Sequence, residues 1–148
     1  MFNKIINTDN AKSTVLIRLM VGVVFVSEGM QKFIFPASRG AGRFEKISLP
    51  DPELLGSFVG TFEIVCGAMI LIGLFTRVAS VPLIIIMIVA IATTKADLFT
   101  NEGFWEMMHG SRTDWAMLLG SIFLFVKGGG FGSIDRTVLN ARISGHAI

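Results

Sequence analysis

Charge is what this chain has least of: only 16% of its 148 residues are Asp, Glu, Lys or Arg, while 52% are hydrophobic and the mean hydropathy is +0.68. Soluble domains do not show that balance, and a single membrane domain over residues 1–148 is the expectation. There is one cysteine, Cys66, which excludes an internal disulfide and any Cys-x-x-Cys redox pair. The two histidines, His109 and His146, stand too far apart for a bis-His haem, and zinc or iron–sulfur sites lack their thiolates, so no metal site and no intrinsic cofactor is expected. Gly128, Gly129 and Gly130 lack the Lys-Ser or Lys-Thr of a phosphate loop and read as a helix end. The net charge of +2 comes without a basic patch interleaved with aromatics, which argues against nucleic acid as a partner.

What remains is apolar length. Four segments, residues 14–35, 54–75, 78–94 and 113–134, are long enough for the roughly 17 to 25 residues that a helix needs to cross the hydrocarbon core. The fold class expected is therefore an all-α membrane protein, a four-transmembrane-helix antiparallel bundle set in the cell (inner) membrane. The first segment is read as a span rather than a cleaved signal peptide, since it stays apolar through Phe33, Ile34 and Phe35. Lys4, Lys12, Arg18, Arg77, Lys127, Arg136 and Arg142 fall on the side of the termini. Arg39, Arg43, Lys46, Lys95 and Arg112 fall opposite, with Lys32 at that rim. The bias favours cytoplasmic termini. Trp105 and Trp115 are expected near the other interface.

Polar loops are expected at residues 36–53 and 95–112, a tight hairpin at Phe75-Thr76-Arg77, a helix-start role for Pro82, and a polar tail from Asp135 that frays or lies on the surface. Gly22 and Gly120 lie outside the main glycine stripe and leave room for a homo-oligomer.

Glu63 interrupts the most apolar run. A lone carboxylate there must be paired, protonated or turned to water. Gly56, Gly60, Glu63 and Gly67 recur at helical spacing, and a small-residue stripe is where another helix packs closely. Glu63 should thus face the protein interior, as a candidate functional site. On the first span Glu28, Gln31 and Lys32 stand at i, i+3 and i+4 and share a face. At 1.5 Å per residue, Glu28 lies roughly 10 Å inside the outer end of its span and Glu63 roughly 13 Å inside the start of the next. The acids share a depth, and Lys32 is in range of either. Two readings stand: a Glu28–Lys32 bridge that aids insertion with Glu63 bonded across the seam, or a binding or proton-handling cluster. His109 and Arg112, with Glu106, Asp114, Thr93, Thr94 and Lys95, are candidates for its mouth.

The run Glu28-Gly29-Met30-Gln31-Lys32-Phe33, then Leu49-Pro50, then Glu63 followed by Gly67, Leu71, Gly73, Leu74, Thr76 and Arg77, resembles the DoxX family of small four-helix membrane proteins. Phe104-Trp105, His109, Arg112-Thr113-Asp114-Trp115 and Ser133-Ile134-Asp135 are similar to one bacterial subgroup of it. The resemblance implies a quinone-associated accessory subunit of a membrane oxidoreductase, or a membrane scaffold that gathers soluble oxidoreductases or other membrane subunits. Glu28, Lys32, Glu63 and Arg77 match the family pattern, with Gly29 and Gly67 as structural members. For such a subunit, the acid pair at matched depth leads to the expectation of a quinone head group hydrogen-bonded by Glu28, Gln31 or Lys32, with Glu63 relaying a proton. A small carrier or channel using the same polar seam is the further alternative.

Overall fold

The computed structural model describes residues 6–145, and every regular element among them is helical. Lys4, His146 and the end of the tail lie outside the described residues. The helices are α1 (Thr14–Ile34), α2 (Pro36–Arg39), α3 (Ala41–Lys46), α4 (Pro52–Ile72), α5 (Thr76–Glu102), α6 (Phe104–Gly110), α7 (Arg112–Lys127) and α8 (Ile134–Gly145). Three of them, α1, α4 and α5, are long and apolar enough to cross a membrane. Leu16, Val23, Phe58, Val65, Ile85 and Leu119 are exposed, which in water would be untenable over so wide a surface and in lipid is favourable.

Local chemistry sets most of the boundaries. Phe35 precedes Pro36, whose ring disfavours a helical residue before it, and α1 stops there. Pro52 occupies the first turn of α4, where a missing N–H costs nothing. Gly73 ends α4 at φ +70, with its N–H donating to Ile70 O (3.0 Å) and Leu74 N–H donating to Met69 O (2.9 Å). That paired capture of carbonyls is the usual glycine stop. The hairpin is thus Gly73-Leu74-Phe75, and Thr76 and Arg77 already belong to α5.

Other expectations are corrected. Residues 95–112 are not a loop: α5 continues to Glu102, 27 residues or roughly 40 Å, and α6 follows it. Residues 36–53 carry α2 and α3. Pro82 lies inside α5, past its first turn. The fourth apolar segment stops as a helix at Lys127, after 16 residues, because Gly128, Gly130 and Gly132 all take positive φ. Gly22 and Gly120 are buried within the chain, Gly22 against Leu71 and Gly67 and Gly120 against Val21 and Met20, so neither is available to a second copy.

The apolar core is Val21 and Phe25 of α1, Cys66 and Ile70 of α4, Ala79, Leu83 and Met87 of α5, and Met117, Leu118 and Leu124 of α7. Helix α1 packs chiefly on α4, and α5 chiefly on α7.

Below this core, at the end where the termini lie, a polar network ties the chain together. Asp135 is 2% exposed and receives the Phe75 N–H on Oδ1 (2.7 Å) and the Thr76 N–H on Oδ2 (2.9 Å). It caps α5 from a distant stretch of chain, where the orphan N–H groups and the helix dipole favour an anion. Its own N–H donates to Gly73 O (3.0 Å). The buried Arg18 guanidinium donates to Gly129 O (2.8 Å) and reaches Gly132 O (3.5 Å), within electrostatic range of Asp135. The tail therefore begins as a locked residue and continues as α8 rather than fraying from Asp135.

Replacing Asp135 with Ala is expected to destabilise the protein by about 3 kcal/mol, since it strands two N–H groups and the Arg18 charge. Lys127→Ala, which removes a half-exposed pair with Asp9 at 3.7 Å, is expected to cost less than about 1 kcal/mol. Denaturation of both variants in mild detergent checks this; equal losses would contradict the assignment.

Candidate functional site

The seam between α1 and α4 is built on glycines seven residues apart on each helix. A β-carbon on Gly29 would meet Gly60 O at 2.7 Å, and one on Gly67 would meet Gly22 O at 3.1 Å. The helices run antiparallel with backbones nearly touching, as small residues permit. Gly56 extends the contact to Gly40 and Ala41, which brings α3 over the outer end of the seam.

Glu63 lies between Gly60 and Gly67 on this face. Lys32 Nζ donates to its Oε2 at 2.5 Å, with only 11% of the lysine and 5% of the glutamate side chain exposed. This ion pair crosses the seam, joining residues 31 apart in sequence. A charge-assisted bond of this kind strengthens in a medium of low dielectric constant. It replaces the expectation of a Glu28–Lys32 bridge within α1.

Glu28 sits one turn before Lys32 and is half-buried. It makes no hydrogen bond or ion pair among the described residues, yet its charge bears on Glu63, as does that of Arg43 from α3. Gln31 donates from Nε2 to Ser27 Oγ (3.0 Å). The seam thus holds one closed pair and one open carboxyl beside it.

The remaining candidates lie elsewhere. His109 is exposed on α6, and its carbonyl accepts from the exposed Arg112 (2.5 Å). Lys95 pairs with Asp114 (3.2 Å) and donates to Gly110 O (2.8 Å), which fastens α6 to the end of α5. Thr93 and Thr94 donate to carbonyls of their own helix. Arg77, at the opposite end, donates from Nε to Asn7 O (2.8 Å). Open hollows on the surface are lined by Pro36, Ala37, Ala41, Glu45 and Lys46, and by Asp51, Pro52 and Glu53, not by Glu28, Lys32 or Glu63.

Two groups of residues are brought into place by contacts that their sequence positions do not reveal. Arg43 lies in a segment read as loop. Arg18, Thr76, Ser133 and Asp135 meet only through tertiary contact, although the position of Arg18, one turn after Thr14 and one before Gly22 on the packed face of α1, was a signal.

The DoxX family model matches residues 13–96. A relative from Mycobacterium tuberculosis, named "Uncharacterized membrane protein Rv3486", is 47% identical over 139 residues, covering 90% of this chain and 85% of its own. Another, from Bacillus subtilis and named "Putative oxidoreductase CatD", is 27% identical over 133 residues, covering 90% of this chain and 92% of its own. No solved structure matches significantly. With these relatives and its apolar helices, the protein is a multi-pass membrane protein.

Lys32→Met is expected to cost about 3 to 5 kcal/mol, because it leaves Glu63 buried without a counter-charge. The double variant Lys32→Met/Glu63→Leu is expected to recover most of that loss. A double-mutant cycle in detergent measures the coupling, and additive losses would contradict the pair.

Proposed function

The chain belongs to the DoxX family, and on that premise we propose that it is a quinone-associated subunit of a membrane oxidoreductase system, with α7 as a fourth span beside α1, α4 and α5 and with both termini cytoplasmic. The observation that carries this reading is Glu28, a half-buried carboxyl with no hydrogen-bond partner among the described residues, next to a closed Lys32–Glu63 pair. A merely structural seam needs the pair and has no use for the second acid.

The donor set fits a quinone head group. Glu28 can accept from a hydroxyl or, when protonated, donate to a carbonyl, and the amide of Gln31 on the same face can do either. A bound quinone supplies the two-electron, two-proton chemistry that this chain's own side chains lack. The protein's part is to hold the head group and to handle protons. Glu28 is the carboxyl that exchanges them, and Lys32 holds Glu63 by its hydrogen bond while remaining one turn from Glu28. Access is from the lipid, where Met30 and Phe33 are exposed beside the site.

A second reading is a scaffold that recruits soluble redox enzymes. It is favoured by α6, which stands outside the apolar spans with Trp105 82% exposed and set edge-on to Phe104 at 5.2 Å. A carrier or channel is disfavoured, since Val21, Phe25, Ile70 and Leu83 form a buried apolar layer between the polar groups at the two ends.

Quinone extraction and binding in mild detergent test the first reading. Wild-type protein is expected to retain quinone, and Glu28→Gln and Glu63→Gln each to weaken its binding about tenfold, or roughly 1.4 kcal/mol. Arg112→Ala, at the exposed outer end, is expected to leave binding unchanged. Wild-type protein without quinone affinity would overturn the reading.

A further inference from the structure

We propose that the end of the molecule carrying the termini holds a binding site for the head group of an anionic phospholipid, formed by Lys12, Phe131 and Arg136. Three separate stretches of chain build it. Lys12 precedes α1, Phe131 lies in the glycine-rich turn after α7, and Arg136 lies in the first turn of α8. The Phe131 N–H reaches Ala11 O (3.4 Å), and Gly130 N–H donates to Thr8 Oγ1 (2.5 Å), so the turn is fastened to the segment that carries Lys12. Lys12 Nζ then stands 5.8 Å from the centre of the Phe131 ring and the Arg136 guanidinium 6.0 Å from it. Both distances are within the range of a cation–π contact.

Two features suit this place to an anion. Neither cation has a carboxylate partner among the described residues. The acids of this region are committed: Asp9 to Lys127, and Asp135 to the start of α5. In addition, Arg136 NH1 has no hydrogen-bond partner, so one donor of its guanidinium is unused. A phosphate oxygen is the acceptor a guanidinium suits best.

The setting selects a lipid as the source of that phosphate. Phe131 is 47% exposed, and Ile134 is exposed beside it, just past the end of α7 and fastened to the segment that leads into α1. An exposed apolar ring between two cations matches a ligand with a phosphate and an acyl chain at the same rim. Juxtamembrane bases contribute about 1 kcal/mol each toward anionic lipid, which is about fivefold in affinity.

The test uses the full chain, purified in a neutral detergent, stripped of lipid and titrated with phosphatidylglycerol or phosphatidylcholine of matched acyl chains, with bound lipid counted by native mass spectrometry. Phosphatidylglycerol is expected to bind at least tenfold tighter, and added salt to erode the difference. Lys12→Gln and Arg136→Gln are each expected to lose about fivefold; Lys12→Arg, and Arg39→Gln at the opposite end, are expected to retain the preference. Should Arg136→Gln fail to fold, Lys12→Gln at its exposed position decides. Equal affinity for the two lipids, or a preference untouched by Lys12→Gln, would overturn the proposal. So would inorganic phosphate that displaces the lipid at equal concentration, since the site would then belong to a soluble anion.

Discussion

A charge inside the hydrocarbon layer must be neutralised within the protein, and the architecture of this chain follows from how it meets that requirement. Lys32 on α1 and Glu63 on α4 neutralise each other at 2.5 Å, and they can do so only because Gly29 faces Gly60 and Gly22 faces Gly67. A β-carbon on Gly29 would come within 2.7 Å of Gly60 O, so side chains at these positions would push the helices apart and strain the ion pair. The glycine stripe is therefore an electrostatic device as well as a packing one: it sets the distance over which the ion pair forms. Such a pair is more a means of specifying register than a large source of stability, because desolvation offsets much of its attraction.

Arg18 meets the same requirement at the other end by a different route. It finds backbone carbonyls of the glycine-rich turn, at Gly129 and Gly132, with the Asp135 carboxylate in range. That turn can offer its carbonyls inward because its glycines adopt positive φ, and Asp135 in turn caps α5. Between the two polar ends lies a mainly apolar layer of Phe25, Ile70, Leu83 and their neighbours, in which the hydroxyl of Ser121 is also buried. The two ends are thus separate sites. The end that holds the Lys32–Glu63 pair also leaves the Glu28 carboxyl without a hydrogen-bond partner among the described residues.

The parts of this picture that could be read from the sequence are those carried by local periodicity. The spacing of Gly56, Gly60, Glu63 and Gly67 places Glu63 on a packed face, and the matched depths of Glu28 and Glu63 place both beside Lys32. Which acid Lys32 joins is a matter of the separation and rotation of two helices, and no periodicity in one helix contains it. Helix boundaries are not legible in the sequence where hydropathy and helix propensity part company. Residues 95–102 are too polar for the bilayer core yet continue α5 without a break, whereas the apolar stretch through Gly73 to Phe75 hides a turn. Asp135 was indistinguishable from a solvated tail residue, because the backbone groups that it caps lie 59 and 60 positions away.

The most direct test of the open carboxyl beside the closed pair is carbon-13 magnetic resonance of the Glu28 and Glu63 side chains in the full-length protein in bilayers, with and without a quinone analogue. The analogue is expected to shift the Glu28 carboxyl signal and to leave unchanged the Glu63 signal, which is set by its bond to Lys32. A Glu28 signal that does not respond to the analogue, or a Glu63 signal insensitive to Lys32→Met, would contradict the account.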